Sequence, residues 1–303
     1  MNKLFLFLPF MLLAASLFGQ VTDSSFIDRH DIDRHDGALF MTLQNNDIRF
    51  AARGENADVF QNYTAGVGIR YRYKGYGLAL AIPVVSLGRN RGTKPSAYSA
   101  SLQLFPGWWY VRAEGTWLRG FESESNDFRA NDRMLYFRTD GFYVFNGRKL
   151  SARAALNLVN RQKKSAGSWL LHPSLSYLRY RSDSLLLNLP DQPGFVLNTY
   201  DHFQVGIGGG YGYSYVFKRF SVTAFATSWA EFRFADFVGR NETELDRDQF
   251  WRVRGQLSGS ITWQPRDTYY GLLARWRPEG PIRNRPSAQN SQWWLRAMVG
   301  RRF

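Results

Sequence analysis

Cysteine is absent from the 303 residues, histidine occurs four times, and no apolar run, the N-terminal one included, reaches the roughly 18 to 20 residues of a membrane-spanning helix. Without cysteine there is no disulfide framework, thiolate metal site, cysteine nucleophile or lipidated N-terminal cysteine. No phosphate loop, dinucleotide fingerprint or zinc spacing occurs, so no cofactor is expected. Acid is scarce as well: Asp and Glu total 25 against 39 Lys and Arg, a net charge of +14. What is abundant is aromatic side chain, at 17%, together with 27 glycines, yet the mean hydropathy is only -0.38. Something other than a wholly apolar core must take up those rings.

Residues 1–19 read as a secretory signal peptide: Lys3 supplies the charged start, Leu4 to Leu17 the apolar run, and Ala14, Ala15, Ser16 and Gly19 the small residues near a cut beside Gln20. Residues 20–37 then form a polar N-terminal arm, expected in the periplasm. Export without a helix, a disulfide or a lipid anchor leaves a soluble exported protein or an outer-membrane β-barrel, and residues 38–303 decide between them by their periodicity.

That periodicity is two. From Tyr63 to Tyr73 the odd positions are Tyr63, Ala65, Val67, Ile69, Tyr71 and Tyr73, while Thr64, Gly66, Gly68, Arg70 and Arg72 lie between them. From Trp251 to Trp263 the odd row is again apolar, against Arg252, Arg254, Gln256, Ser258, Ser260 and Thr262. Apolar rows of about ten residues with aromatics at both ends match strands that cross a bilayer between two ring girdles. A soluble β-sandwich also alternates, but it rarely needs a dozen such segments flanked by Trp and Tyr. The expected fold is therefore all-β: a single antiparallel transmembrane barrel with short periplasmic turns and longer extracellular loops.

Strands are expected at 38–51, 63–73, 76–84, 97–105, 108–118, 134–145, 149–157, 169–181, 203–216, 220–232, 250–263, 268–277 and 292–303, with Asn146-Gly147 as one tight hairpin turn. An odd number of strands does not close with both termini on one side. Residues 158–202 hold the ambiguity. As an extracellular excursion they leave twelve strands, which suits the chain length; if Leu185 to Leu189 adds a strand there are fourteen. The chain ends on Phe303 behind a mostly apolar row of Trp293, Leu295, Ala297 and Val299. Such an end is similar to the terminal strand by which outer-membrane barrels are recognised for assembly, which makes barrel-assembly machinery an expected partner and Phe303 the assembly signal.

At Tyr143-Val-Phe-Asn-Gly147, Ala154-Ala-Leu-Asn157, Gln162-Lys-Lys-Ser-Ala-Gly-Ser168 and Gly208-Gly-Gly-Tyr-Gly-Tyr-Ser-Tyr-Val-Phe-Lys218 the chain resembles an uncharacterised family of Gram-negative outer-membrane β-barrel proteins, over roughly residues 25–303. The resemblance implies the fold and the outer membrane. It implies no activity and no site residues.

In this phase the inward rows carry Arg70, Arg72, Arg112, Arg138, Arg153, Arg252, Arg254, Arg275, Arg277 and Arg296, with Glu114 and Asp140 as inward acids. Turned outward, each Arg would cost about 2 to 4 kcal/mol at the bilayer midplane. A basic lumen attracts small anionic solutes, because guanidinium groups in a narrow cavity focus positive potential. The same residues also serve a narrow barrel as filler, stacked on rings and paired with acids. Nucleic acid is a poor partner for charge that lies inside.

The arm carries a tandem pentapeptide, Ile27-Asp-Arg-His-Asp31 and Ile32-Asp-Arg-His-Asp36, whose His30 and His35 are weak candidates as metal ligands. Acidic loops are expected at 120–133 and 239–249, facing lipid and lipopolysaccharide. His172-Pro-Ser174 invites comparison with barrel-borne lipid hydrolases, the alternative of a lipid-modifying enzyme. Both residues fall on the inward row while a lipid substrate lies outside, so no catalytic role is expected.

Overall fold

A computed structural model of the chain describes residues 25–27, 36–51, 58–73, 76–86, 96–104, 108–123, 128–152, 154, 161–189, 192–239, 244–278 and 287–303. The signal peptide, His30, His35 and Arg153 lie outside the described residues. The described residues form twelve strands: β1 (Asp36–Ala51), β2 (Asp58–Tyr73), β3 (Tyr76–Ser86), β4 (Ser96–Leu104), β5 (Trp109–Ser123), β6 (Phe128–Val144), β7 (Ala166–Leu189), β8 (Gln192–Phe217), β9 (Phe220–Gly239), β10 (Glu244–Trp263), β11 (Thr268–Arg277) and β12 (Ser287–Arg302). Each pairs antiparallel with its chain neighbours, and β1 pairs with both β2 and β12, so the sheet closes on itself. Closure leaves no free edge, the condition for a sheet to sit in lipid.

The alternation sets which face looks where. Leu39, Met41, Val67, Ile69, Leu78, Leu80, Ile82, Val253, Leu257 and Ile261 are exposed on the outside, while Thr42, Arg70, Gln103, Arg112, Gln204, Gln256, Thr262 and Arg296 are buried inside. This inside-out distribution belongs to a barrel solvated by lipid. On β10, Trp251 and Trp263 end the same outward row. Their separation is about 40 Å along the strand at ~3.4 Å per residue, or about 30 Å along the membrane normal at a tilt near 40°, enough to bracket the apolar band. The expected fold and phase are the observed ones.

Two expectations are corrected. The described part of 149–157, residues 149–152 and 154, is not a strand, and Asn146-Gly147 is not a two-residue hairpin: β6 and β7 are joined by a segment in which Ala152 and Ala154 are helical. Ser151 Oγ accepts from the Ala154 N–H at 3.1 Å, an N-cap that turns the chain out of extended geometry. A side chain at Gly147 would meet the Trp108 ring at 2.7 Å, so the glycine serves that close approach rather than a hairpin. Removing this strand from thirteen leaves twelve. The second correction concerns 158–202: β7 and β8 run for 24 and 26 residues, so the excursion is the two strands themselves prolonged beyond the bilayer, and Leu185 to Leu189 continues β7. The acidic 120–133 stretch is likewise mostly strand, and Asp132 is buried, accepting from Tyr180 and from Ser182 Oγ at 2.7 Å.

Inside, the glycines of β8 make room for rings from β9. A Cβ on Gly206 would fall 2.7 Å from Trp229 Cδ1, and one on Gly212 would run into the Phe225 ring. Trp229 and Phe225 thereby lie against the β8 wall, where Trp229 reaches His172 and Phe225 reaches Phe142, 6.4 Å between ring centroids.

Candidate functional site in the barrel lumen

The end of the barrel that carries the tight turns is filled by an apolar cluster of Tyr110, Phe142, Val144, Leu150, Ala152, Ala166, Leu170 and Phe225. Six of its members project from the walls of β5, β6, β7 and β9, while Leu150 and Ala152 come from the β6–β7 connection folded inward. The N-terminal arm completes this floor. Phe26 packs against the cluster, Ile27 is 2% exposed, and Ile27 pairs with Gln162. Gln162 ties the layers together: its Oε1 accepts from the Ser151 N–H at 3.0 Å, and its amide donates to the Lys149 and Lys164 carbonyls at 2.6 and 2.9 Å. The Lys163 N–H donates to the Phe26 carbonyl at 2.7 Å, and the ammonium groups of Lys149 and Lys164 lie 5.4 and 5.2 Å from the Phe26 ring. The arm is therefore less polar in its setting than its composition implies. At its other end Asp36 is fully buried, accepting from Arg70 and Tyr269 at 3.2 and 2.7 Å. The first residue of the tandem repeat and the last are thus fixed by unlike partners.

Above the floor the lumen turns polar. Phe142 lies 4.6 Å from His172 between ring centroids, and Trp229 meets the same imidazole edge-on at 4.7 Å. His172 Nε2 lies 3.5 Å from Asp140 Oδ1. Asp140 is the centre of the next layer. It accepts from Arg138 Nε at 2.6 Å and from Arg277 Nη2 at 2.5 Å. The second of these bonds joins β6 to β11, strands far apart around the ring, so it spans the lumen. Arg277 also donates to Gln256 at 2.5 Å and to Gln292 at 3.3 Å.

Beside it, Arg112 pairs with Glu114 at 3.0 Å, and Arg296 donates to Thr42 Oγ1 at 3.0 Å. Arg112, Arg275 and Arg296 gather about a single inward indole, with guanidinium carbons 5.8, 5.3 and 5.0 Å from the Trp294 ring centroid. Arg112, Arg138, Arg275, Arg277 and Arg296 face the carboxylates Glu114 and Asp140, five cations against two anions, an excess of three positive charges. Toward the loops a further group holds Glu231 with Arg252 and Arg254, and Arg233 with His202.

Nine of the ten arginines expected in the lumen are therefore buried in it, at 9% exposure or less. Five buried charged residues were absent from that expectation: Asp36, Asp132, Glu231, Arg233 and Arg302. Arg233 and Glu231 belong to β9, which runs seven residues past Phe232, the expected end; Asp36 belongs to β1 rather than to the arm. The signal for Arg233 and Glu231 is present in Trp229-Ala-Glu-Phe-Arg-Phe, where the alternation simply continues. Ser174 shares no hydrogen bond with His172 among the described residues, and Asp140, which faces His172, is committed to two guanidiniums.

A sequence profile for a family described as "Domain of unknown function (DUF4421)" matches residues 21–303. The chain belongs to this family. No curated protein matches this DUF4421 chain. Among solved structures it is similar to the transport unit of the autotransporter AIDA-I from Escherichia coli, at 12% identity and a TM-score of 0.44 over 97% of both chains. It is also similar to an outer membrane channel from Pseudomonas putida F1, at 11% identity and a TM-score of 0.41 over 90% of this chain and 96% of that one. A third likeness is to the outer membrane channel DcaP of Acinetobacter baumannii, with 10% identity, a TM-score of 0.29, and 89% and 97% of the two chains covered. The DUF4421 chain is an outer-membrane β-barrel, as its closed sheet, apolar exterior and polar interior require.

Proposed function

We propose that this barrel is a gated passage for small anionic solutes across the outer membrane. One observation carries the reading: among the described residues the layer of Arg112, Arg138, Arg275, Arg277 and Arg296 has only Glu114 and Asp140 to offset it, inside a lumen ringed by the closed sheet. Filler alone does not need that imbalance, since each buried guanidinium without a counter-charge costs several kcal/mol of desolvation. A solute anion removes the deficit. The floor supports the gated part of the reading, because Phe26, Ile27, Leu150 and Ala152 close the path beneath the charged layer with apolar side chains. Orientation follows from the turns: outer-membrane barrels direct short turns to the periplasm, so the floor is periplasmic and the charged lumen opens toward the loops and lipopolysaccharide.

The test is single-channel recording on purified full-length protein in planar bilayers. The parent barrel is expected to be quiet, while Ile27→Asp, which places a charge in the apolar floor, gives frequent open events at the same amount of folded protein. A variant as silent as the parent would contradict the gate.

A further inference from the structure

The three arginines around Trp294 are set apart from the rest of the lumen. Arg138 and Arg277 share Asp140, but Arg275 reaches that carboxylate only at 3.8 Å, beyond hydrogen-bonding distance. Arg275 is 4% exposed, and among the described residues its Nε and Nη1 have no hydrogen-bond acceptor; the Nε of Arg112 has none there either. Guanidinium donors buried without acceptors are costly, and three like charges about one indole repel one another. Among the described residues, Glu114 forms a direct ion pair with Arg112 alone. Its side chain is nevertheless 21% exposed although it points inward, so the space beside Arg112 is open to water.

We infer that Arg112, Arg275 and Arg296, gathered around Trp294, form a binding site for a small doubly charged oxyanion of the phosphate type. The inference rests on the reading that the lumen accepts anions, and adds which anions and where. Shape favours an oxyanion over a halide, because the planar fork of each guanidinium offers paired N–H groups that match two oxygens. Charge favours two units over one: an excess of three positive charges is cut to one by a dianion and only to two by a carboxylate. The Trp294 face holds the guanidinium planes in place, so the unbound donors at Arg275 and Arg112 are set before the anion arrives.

Isothermal titration calorimetry of the folded barrel in detergent tests this with inorganic phosphate, sulfate, acetate and chloride at constant ionic strength. Phosphate and sulfate are expected to bind saturably at one site, with acetate and chloride at least tenfold weaker. Arg275→Gln should lower phosphate affinity tenfold or more, and Arg275→Lys should retain part of it by keeping the charge without the fork. Arg179→Gln, which removes a half-exposed ion pair with Asp201 on the outer wall, should leave it unchanged. Where Arg275→Gln does not fold, phosphate should still raise the melting temperature of the parent barrel, with acetate giving no comparable rise. Absence of saturable phosphate binding to folded parent protein overturns the site, as does an Arg275→Gln variant that binds like the parent or a parent that does not distinguish phosphate from chloride. A barrel that conducts anions without saturable phosphate binding loses this site and keeps the passage. Saturable binding in a barrel that never conducts supports the site and removes the passage.

Discussion

Asp140 shows how much one carboxylate carries in a lumen of this composition. It accepts from Arg138 and from Arg277, and it faces His172. Replacing it with Asn keeps the shape and removes the charge, leaving two buried guanidiniums uncompensated. Asp140→Asn should cost about 3 kcal/mol of barrel stability, the order expected when one partner of a buried pair is removed. Urea unfolding in lipid vesicles measures this, and an unchanged midpoint would show that water already screens the cluster. Asp140 and the arginines were legible in the sequence because period two fixes which side of the sheet each residue faces, and the lipid penalty fixes which side is inside. Which of them meet was not legible. The Arg277–Asp140 bond joins residues 137 apart on strands nearly across the barrel, and no local pattern encodes that distance.

At the scale of elements, the connection between β6 and β7 is where local pattern misleads. Leu150, Ala152 and Ala154 recur at every second position, the signature of a strand, and all three are buried. They are buried by a short helical turn instead, and a segment this short cannot be told from a strand by periodicity alone. Ser151 followed by an alanine-rich stretch was the available sign of a capped helix. The ends of β9 were missed for the opposite reason: alternation continues past the bilayer, where nothing but strand pairing sustains it. β12 makes a separate claim. Its register with β1 runs from Asp36 opposite Arg302 to Ala51 opposite Ser287, so this one pairing seals the barrel. Phe303 follows it, 69% exposed, with the Arg301 guanidinium 5.8 Å from its ring. A ring that buries so little stabilises the finished barrel weakly, so its proposed role is in assembly. Deleting Phe303 should reduce the heat-modifiable, folded protein recovered from outer membranes several-fold, yet barely move the urea midpoint of barrels refolded in vitro. Equal recovery in the membrane would remove the assembly role.

For the whole molecule, one rule accounts for most of what is seen: the sheet is closed, lipid takes the apolar rows, and the lumen receives everything else, including an excess of cationic charge. The excess lies above an apolar floor built from the N-terminal arm and the β6–β7 connection, so charge and closure occupy successive layers along one axis. The central claim is that the charge acts on solute anions once the floor is released. Reversal potential under a KCl gradient, recorded on the Ile27→Asp barrel with and without Arg112→Gln, Arg275→Gln and Arg296→Gln, tests it most directly. The account predicts a potential on the anion-selective side that shrinks toward zero in the triple variant and at high salt, where screening shortens the reach of the remaining charge. A cation-selective or unselective current through the Ile27→Asp barrel, or a selectivity that the three further substitutions leave unchanged, would contradict it.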